Sequence, residues 1–318
     1  MKERNYCIDI IKFLAVIFIT NSHYIPLYKD INIAFATLGV HGNALFFFIS
    51  GFTITLSNNI NLPFKDWYKR RIQRIWPTFI VWPLLASLIF NEYITWENSL
   101  IAKGYWFIQC IMISYIVLYY ILLHKKSIKR YILFYILITG ICLGCMEKSP
   151  GSIFHSNLHY ICYFPSMLLG LYLGTKRENI KINYLFIKTI GSFLAYFLIM
   201  KIGKGQTNAL YYLQIIAIFP LNIFIYYLYY WLTSIQLNKI KEKKWLWYSV
   251  YWLGCLSLEI YVVQFSVITD RYNNLFPLNT IIIFIQILIV AYILRICSNF
   301  FTQTFSNESY SLKKALKI

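Results

Sequence analysis

The sequence predicts an all-α integral membrane protein, with about ten transmembrane helices in one bundle and both termini in the cytoplasm. Three observations predict it. Of the 318 residues, 59% are apolar and 13% charged, against about 45–50% and about 25% in a soluble domain. A chain of this length cannot hide so much apolar surface in one aqueous core. That excludes a disordered chain, a fibrous one and an ordinary soluble enzyme. The apolar residues also fall into ten runs, each near the ~20 residues that carry a helix across a bilayer. Finally, Lys and Arg gather in alternate loops, as topology signals do.

In order, the runs are 8–27, 34–56, 75–91, 104–123, 131–146, 157–174, 185–202, 209–235, 247–269 and 278–300. Each is expected to be helical, because lipid offers no partner to an open backbone. The fifth is short and the eighth long. Pro220 lies inside the eighth, where its ring and missing N–H predict a kink or a break. One set of loops, at 2–4, 65–74, 125–130, 176–181, 239–244 and 313–317, carries twenty-one Lys and Arg; the other set carries six. The positive-inside rule then makes 1–7 and 301–318 short cytoplasmic tails. The linkers are too short for a separate soluble domain, so 1–318 is expected to be a single transmembrane domain. A net charge of +18 with no soluble basic face points to membrane lipid and not to nucleic acid. The seven cysteines are scattered, mostly in apolar runs, and imply no disulfide framework. No cleavable signal peptide is expected, since the first run carries charges and lacks an A-x-A-like exit.

Ionisable residues inside spans are expensive and mark function by default. The first run holds Asp9, Lys12 and His23. Lys12 and His23 are eleven residues apart, close to three turns, so they share a face about 16 Å apart. Asp9 and Lys12 pair with each other or snorkel to the headgroups. His23, towards the far side, is a candidate general base. The second run reads Gly42 to Phe52 with Ser50 and Gly51 inside it, residues that permit close helix packing; His41 beside it is a candidate acceptor contact. A basic loop follows, with Lys69, Arg70, Arg71 and Arg74 interleaved with Trp67, Trp76 and Pro77. Such a cluster grips phosphates or anchors to anionic lipid. In the ninth run Glu259 lies about 18 Å from the cytoplasmic end, near the depth of His23. It is expected either to orient His23 or to pair with another buried donor. Arg295 reads as a snorkelling residue and His124 as an interfacial one. Cys142-x-x-Cys145 and the His155, His159, Cys162 grouping lack the spacing that would commit them to zinc, and no metal is expected.

Five stretches occur in one order: Asp9-x-x-Lys12 to His23, Leu45 to Phe52, Tyr68 to Pro77, Tyr105 to Ile108, and Gly254 to Tyr261. Together they resemble the membrane acyltransferase-3 family. The resemblance covers residues 4 to about 264, and it implies ten helices forming one transmembrane acyltransferase domain over 1–318. It also implies transfer of an acyl group, commonly acetyl, from acyl-CoA to a hydroxyl of a cell-surface polysaccharide or lipid-linked glycan. Such an enzyme transfers groups other than amino-acyl groups and binds no resident cofactor, with acyl-CoA as co-substrate. Its setting would be a bacterial cytoplasmic (inner) membrane, multi-pass. Within that reading His23 and Glu259 are the catalytic candidates. Lys12, Asp9, Lys69, Arg70, Arg71, Arg74, Ser50, Trp106 and His41 are the substrate-binding ones. Two positions depart from the family. Lys12 stands where an Arg is usual, keeping the charge and losing the bidentate fork. Gln264 stands where a His is usual, so no ionisable group acts there. The alternative is a polytopic transporter or exporter of a glycan or small solute, which needs a through pathway and turns over no acyl-CoA. Oligomeric state is left open.

Overall fold

The computed structural model describes residues 5–56, 62–92, 105–123, 133, 137, 140, 152–155, 158–176, 182–206, 209–235, 244–305 and 309–317. They form α1 (Tyr6–His23), α2 (Ile25–Tyr28), α3 (Gly39–Leu56), α4 (Phe64–Phe90), α5 (Trp106–Leu123), α6 (His159–Cys162) and α7 (Phe164–Lys176). Then follow α8 (Leu185–Gly203), α9 (Leu213–Ile216), α10 (Ile218–Ser234), α11 (Lys244–Cys255), α12 (Ser257–Val267), α13 (Leu278–Gln303) and α14 (Leu312–Ala315). No strand occurs among the described residues.

Among the described residues, seven segments are long and apolar enough to cross a membrane: α1, Ile33–Leu56, α4, α5, α8, Ala209–Ser234 and α13. The α11–α12 pair makes an eighth if it is one span, bent by 73°. Ile281, Ile285, Ile289 and Ile293 stand exposed along α13, and Phe186, Ile190, Leu194 and Leu198 along α8. Such stripes of four-residue period suit lipid and not water. The chain is a multi-pass membrane protein.

The ten expected spans are therefore not all seen as ten unbroken helices. The fifth run, 131–146, lies almost entirely outside the described residues. The sixth is interrupted at Tyr163, and α7, with 13 residues, is shorter than the ~20 a span needs. Pro165 explains the interruption, because its ring excludes the carbonyl four residues back, at Ile161. Pro220 acts in the same way: α10 begins at Ile218 and the short α9 ends at Ile216. The third run begins much earlier than residue 75. What looked like a basic loop is the start of α4, which continues through Pro77 and Pro83. The ninth run is not straight either. It breaks at Leu256, between Gly254 and Ser257, the kind of small-residue site where helices kink.

The chain folds as two compact units. The first comprises 1–11, 43–64 and 113–243. Its α3 and α7 are in backbone contact. A Cβ on Gly51 would overlap the Met167 carbonyl, and one on Gly170 would overlap the Phe48 carbonyl. This small-residue contact lets two helices approach without a hydrophobic drive between them. Phe48 and Phe52 then pack on Tyr229 of α10, and Phe47 stacks on Tyr163. Gln214, fully buried, holds the Ile153 N–H and the Gly203 carbonyl.

The second unit comprises 12–42, 65–112 and 244–318. Here the start of α3 packs on α1, with Gly39 against Ser22 and Gly42 against Ile19 and the Ala15 carbonyl. Asn273 donates to the Pro26 carbonyl and to Asp30, and Tyr24 donates to the Thr280 carbonyl. These bonds tie the segment after α1 to the start of α13.

The α3–α7 contact predicts that Gly51→Ala lowers stability by about 1–3 kcal/mol, the usual cost of overpacking. Gly191→Ala, which meets nothing within 4 Å, should stay within about 0.5 kcal/mol of wild type. Thermal unfolding in detergent measures both.

Candidate active site

All sequence-derived candidates except Asp9 and Ser50 belong to the second unit. Helices α1, α4, α12 and α13 and the turn after α4 build its polar interior. On α4, Trp67, Arg71, Thr78 and Trp82 are spaced by four, seven and four residues, so they share one face. Trp67, Thr78 and Trp82 are buried and Arg71 half-buried. The Arg71 guanidinium lies 4.9 Å over the Trp67 ring, a cation–π contact that fixes the side chain. Lys69, Arg70 and Arg74 are exposed. The helix thus sorts one charge run into an inward Arg71 and an outward Arg70–Arg74 pair.

The break at Leu256 sets Glu259 in the first turn of α12, where the helix dipole favours a carboxylate. Glu259 has no solvent exposure. Its Oε1 accepts from Arg295 Nη1 at 2.8 Å and from Thr78 Oγ1 at 3.3 Å. The expected alternatives for Glu259 thus resolve to a buried ion pair, with Arg295 turned inward instead of snorkelling away. The depth argument for a Glu259–His23 pair fails with the straight helix it assumed. No hydrogen bond joins the two residues. Oε2 of Glu259 and Nε of Arg295 are buried and have no partner among the described residues.

His23, the last residue of α1, is half-buried. Its ring meets Phe265 edge-on with centroids 4.8 Å apart. Phe265 also meets Tyr105 and Tyr261, and Tyr105 meets Phe79. Through Phe265, His23 thus joins the edge of an aromatic cluster drawn from α12, α4 and the residue before α5. Phe265 is 47% exposed, so the cluster opens outward at the histidine. One residue on, Ser266 Oγ donates to Glu92 Oε2 at 2.5 Å. Glu92 reaches it because Asn91, at φ 54°, closes α4 with a left-handed cap and turns the chain back. The Glu92 N–H then meets the Ala86 carbonyl.

The other candidates are placed as follows. Lys12 is half-buried and Asp9 buried; His41 is fully buried at the start of α3. Trp106 opens α5, with its ring against Phe107. Ser50, in the first unit, is half-buried on α3 and accepts from the Thr53 hydroxyl through its carbonyl. Gln264 is fully buried, and neither atom of its amide group has a partner among the described residues. His124, Cys142 and Cys145 lie outside the described residues. Among the described residues no group of three or more His, Cys, Asp and Glu side chains is placed to hold a metal ion. Sequence reasoning missed Thr78 and Tyr105 as site residues. Thr78 carried a signal, since it follows Arg71 by seven residues on the same helix face.

A polar interior in a membrane helix bundle, with a histidine, an inward arginine and a buried ion pair, is a candidate functional site. The family model described as an acyltransferase domain, the acyltransferase-3 model, matches residues 5–296. The chain belongs to the acyltransferase-3 family. It is an acyltransferase, and the match covers nearly the whole chain, from α1 into α13. No curated protein and no solved structure matches it.

The pairing at Glu259 predicts that Arg295→Ala is costly, about 3–5 kcal/mol, because it leaves a buried charge uncompensated. Thr78→Val removes one weaker bond and should cost about 1 kcal/mol. The two melting temperatures in detergent, taken side by side, check the ranking.

Proposed function

We propose that this acyltransferase moves an acyl group, commonly acetyl, from acyl-CoA to a hydroxyl of a cell-surface polysaccharide or lipid-linked glycan. The proposed setting is a bacterial cytoplasmic membrane with both termini inside. The observation that carries the reading is His23, half-buried and held edge-on by Phe265 within an aromatic cluster. An aromatic surround suits a sugar ring, and a neutral imidazole suits the role of general base.

In this mechanism the hydroxyl proton passes to a nitrogen of His23. The resulting oxygen nucleophile attacks the thioester carbonyl carbon and forms the new C–O bond. The C–S bond breaks, and the thiolate takes the proton back from the imidazolium. The products are the ester and free CoA. Arg71, with Arg70, Arg74 and Lys69 beside it on α4, supplies the charge for the CoA phosphates. Lys12 adds a further cation on α1. Glu259 acts in this scheme through Arg295 and Thr78 and not through His23. His41, Asp9, Ser50 and Trp106 remain substrate-binding candidates in this reading.

The test is mass spectrometry of surface glycan from cells carrying wild type, a deletion or His23→Ala, each variant expressed at equal level. Loss of one acyl mass in both, with glycan quantity unchanged, is the expected result. Unchanged acylation in the deletion strain would overturn the acceptor assignment. Retained acylation in His23→Ala alone would remove His23 from the chemistry.

A further inference from the structure

We infer that the Glu259–Arg295–Thr78 node is a binding station for the amide-bearing pantetheine arm of the acyl donor. The inference rests on the acyl-CoA reading above and adds a site to it. Two atoms of one ion pair carry it. Glu259 Oε2 is a bare acceptor on a side chain with no exposure, and Arg295 Nε is a buried donor with no partner among the described residues. Both Thr78 and Arg295 bond the other carboxylate oxygen. Leaving a buried charged acceptor and a charged donor unmatched is expensive. A ligand that offers an N–H and a carbonyl a few bonds apart would satisfy both. An anion would be repelled by Oε2, and a hydrocarbon chain would leave both atoms bare.

Position selects the pantetheine arm among such ligands. Thr78 lies on the Arg71 face of α4, seven residues further along, or about 10.5 Å. Phe265, which carries His23, lies six residues beyond Glu259 on α12, or about 9 Å. The two helices run the same way here, since Thr78 meets Glu259 and Glu92, beyond the end of α4, meets Ser266. The node therefore stands midway on a route of about 20 Å from the inward arginine to the histidine. From phosphorus to sulfur a phosphopantetheine arm reaches about 16 Å when extended, and the length of the Arg71 side chain covers the rest. With phosphate at Arg71 and thioester at His23, the amides of the arm fall at the node. One amide N–H donates to Glu259 Oε2, and a carbonyl of the arm accepts from Arg295 Nε.

The test is calorimetric binding to the purified full chain in detergent, with CoA, pantetheine and adenosine 3′,5′-bisphosphate as separate probes. Two variants keep the node's shape and alter its chemistry. Glu259→Gln turns its amide oxygen to Arg295 and presents a donor where Oε2 accepts. Arg295→Lys keeps the charge and removes the Nε–H. Each should weaken CoA about tenfold and abolish measurable pantetheine binding, while the bisphosphate changes less than twofold. Arg71→Ala should instead weaken CoA and the bisphosphate together and spare pantetheine. Undiminished CoA and pantetheine affinity in Arg295→Lys, with an unchanged melting temperature, overturns the station and leaves the donor reading standing. A wild-type chain that binds none of the three probes overturns both.

Discussion

A carboxylate stripped of all solvent must be paired, protonated or unstable, and much of the second unit is arranged around that requirement at Glu259. The pairing comes from Arg295 on α13 and Thr78 on α4. Three helices distant in sequence are thus joined at one oxygen. The break at Leu256 makes the join possible. A straight helix through that point would not place Glu259 in a first turn, where free backbone N–H groups and the helix dipole favour its charge. Replacing such a pair by apolar residues is often neutral or stabilising in other proteins. Its presence in a membrane protein therefore argues for use and not for stability.

The node also sets the order of groups around it. Along α4, the inward face carries Arg71 on its Trp67 platform and then Thr78. Along α12, Glu259 is followed by Tyr261 and Phe265, which close on Tyr105 and His23. Charged groups lie at one end of this sequence, aromatic groups and an imidazole at the other. The proposed acyl-CoA donor, with phosphates at one end and a reactive thioester at the other, calls for such a gradation. The Ser266–Glu92 bond holds the far end, where the chain doubles back after Asn91.

The first unit shows a different use of the same membrane physics. Its α3 and α7 come into contact through Gly51 and Gly170, since lipid tails give two apolar helices no hydrophobic reason to associate. Aromatic rings on α3 then fill the space towards Tyr229.

The membrane class, the helical architecture and the family were legible in the sequence, because lipid leaves the backbone one solution and writes it as apolar runs about 20 residues long. The role of Pro220 was legible for the same reason: a missing N–H acts locally. The bend at Leu256 was not, because no proline marks it and a Gly–Ser neighbourhood is compatible with either a straight or a bent helix. Nor could composition sort Arg71 from Arg70 and Arg74, since only packing around the folded helix leaves Arg71 half-buried and the other two exposed. His23 was singled out by its own rarity in an apolar span. Its neighbour Phe265 and the Tyr105 behind that ring were not, because aromatic residues are common here and only contact shows which of them reach the histidine. The choice of Arg295 and Thr78 as partners of Glu259, with His23 left unbonded to it, belonged to tertiary structure alone. Which buried donors meet a carboxylate depends on the angle at which helices far apart in the chain cross.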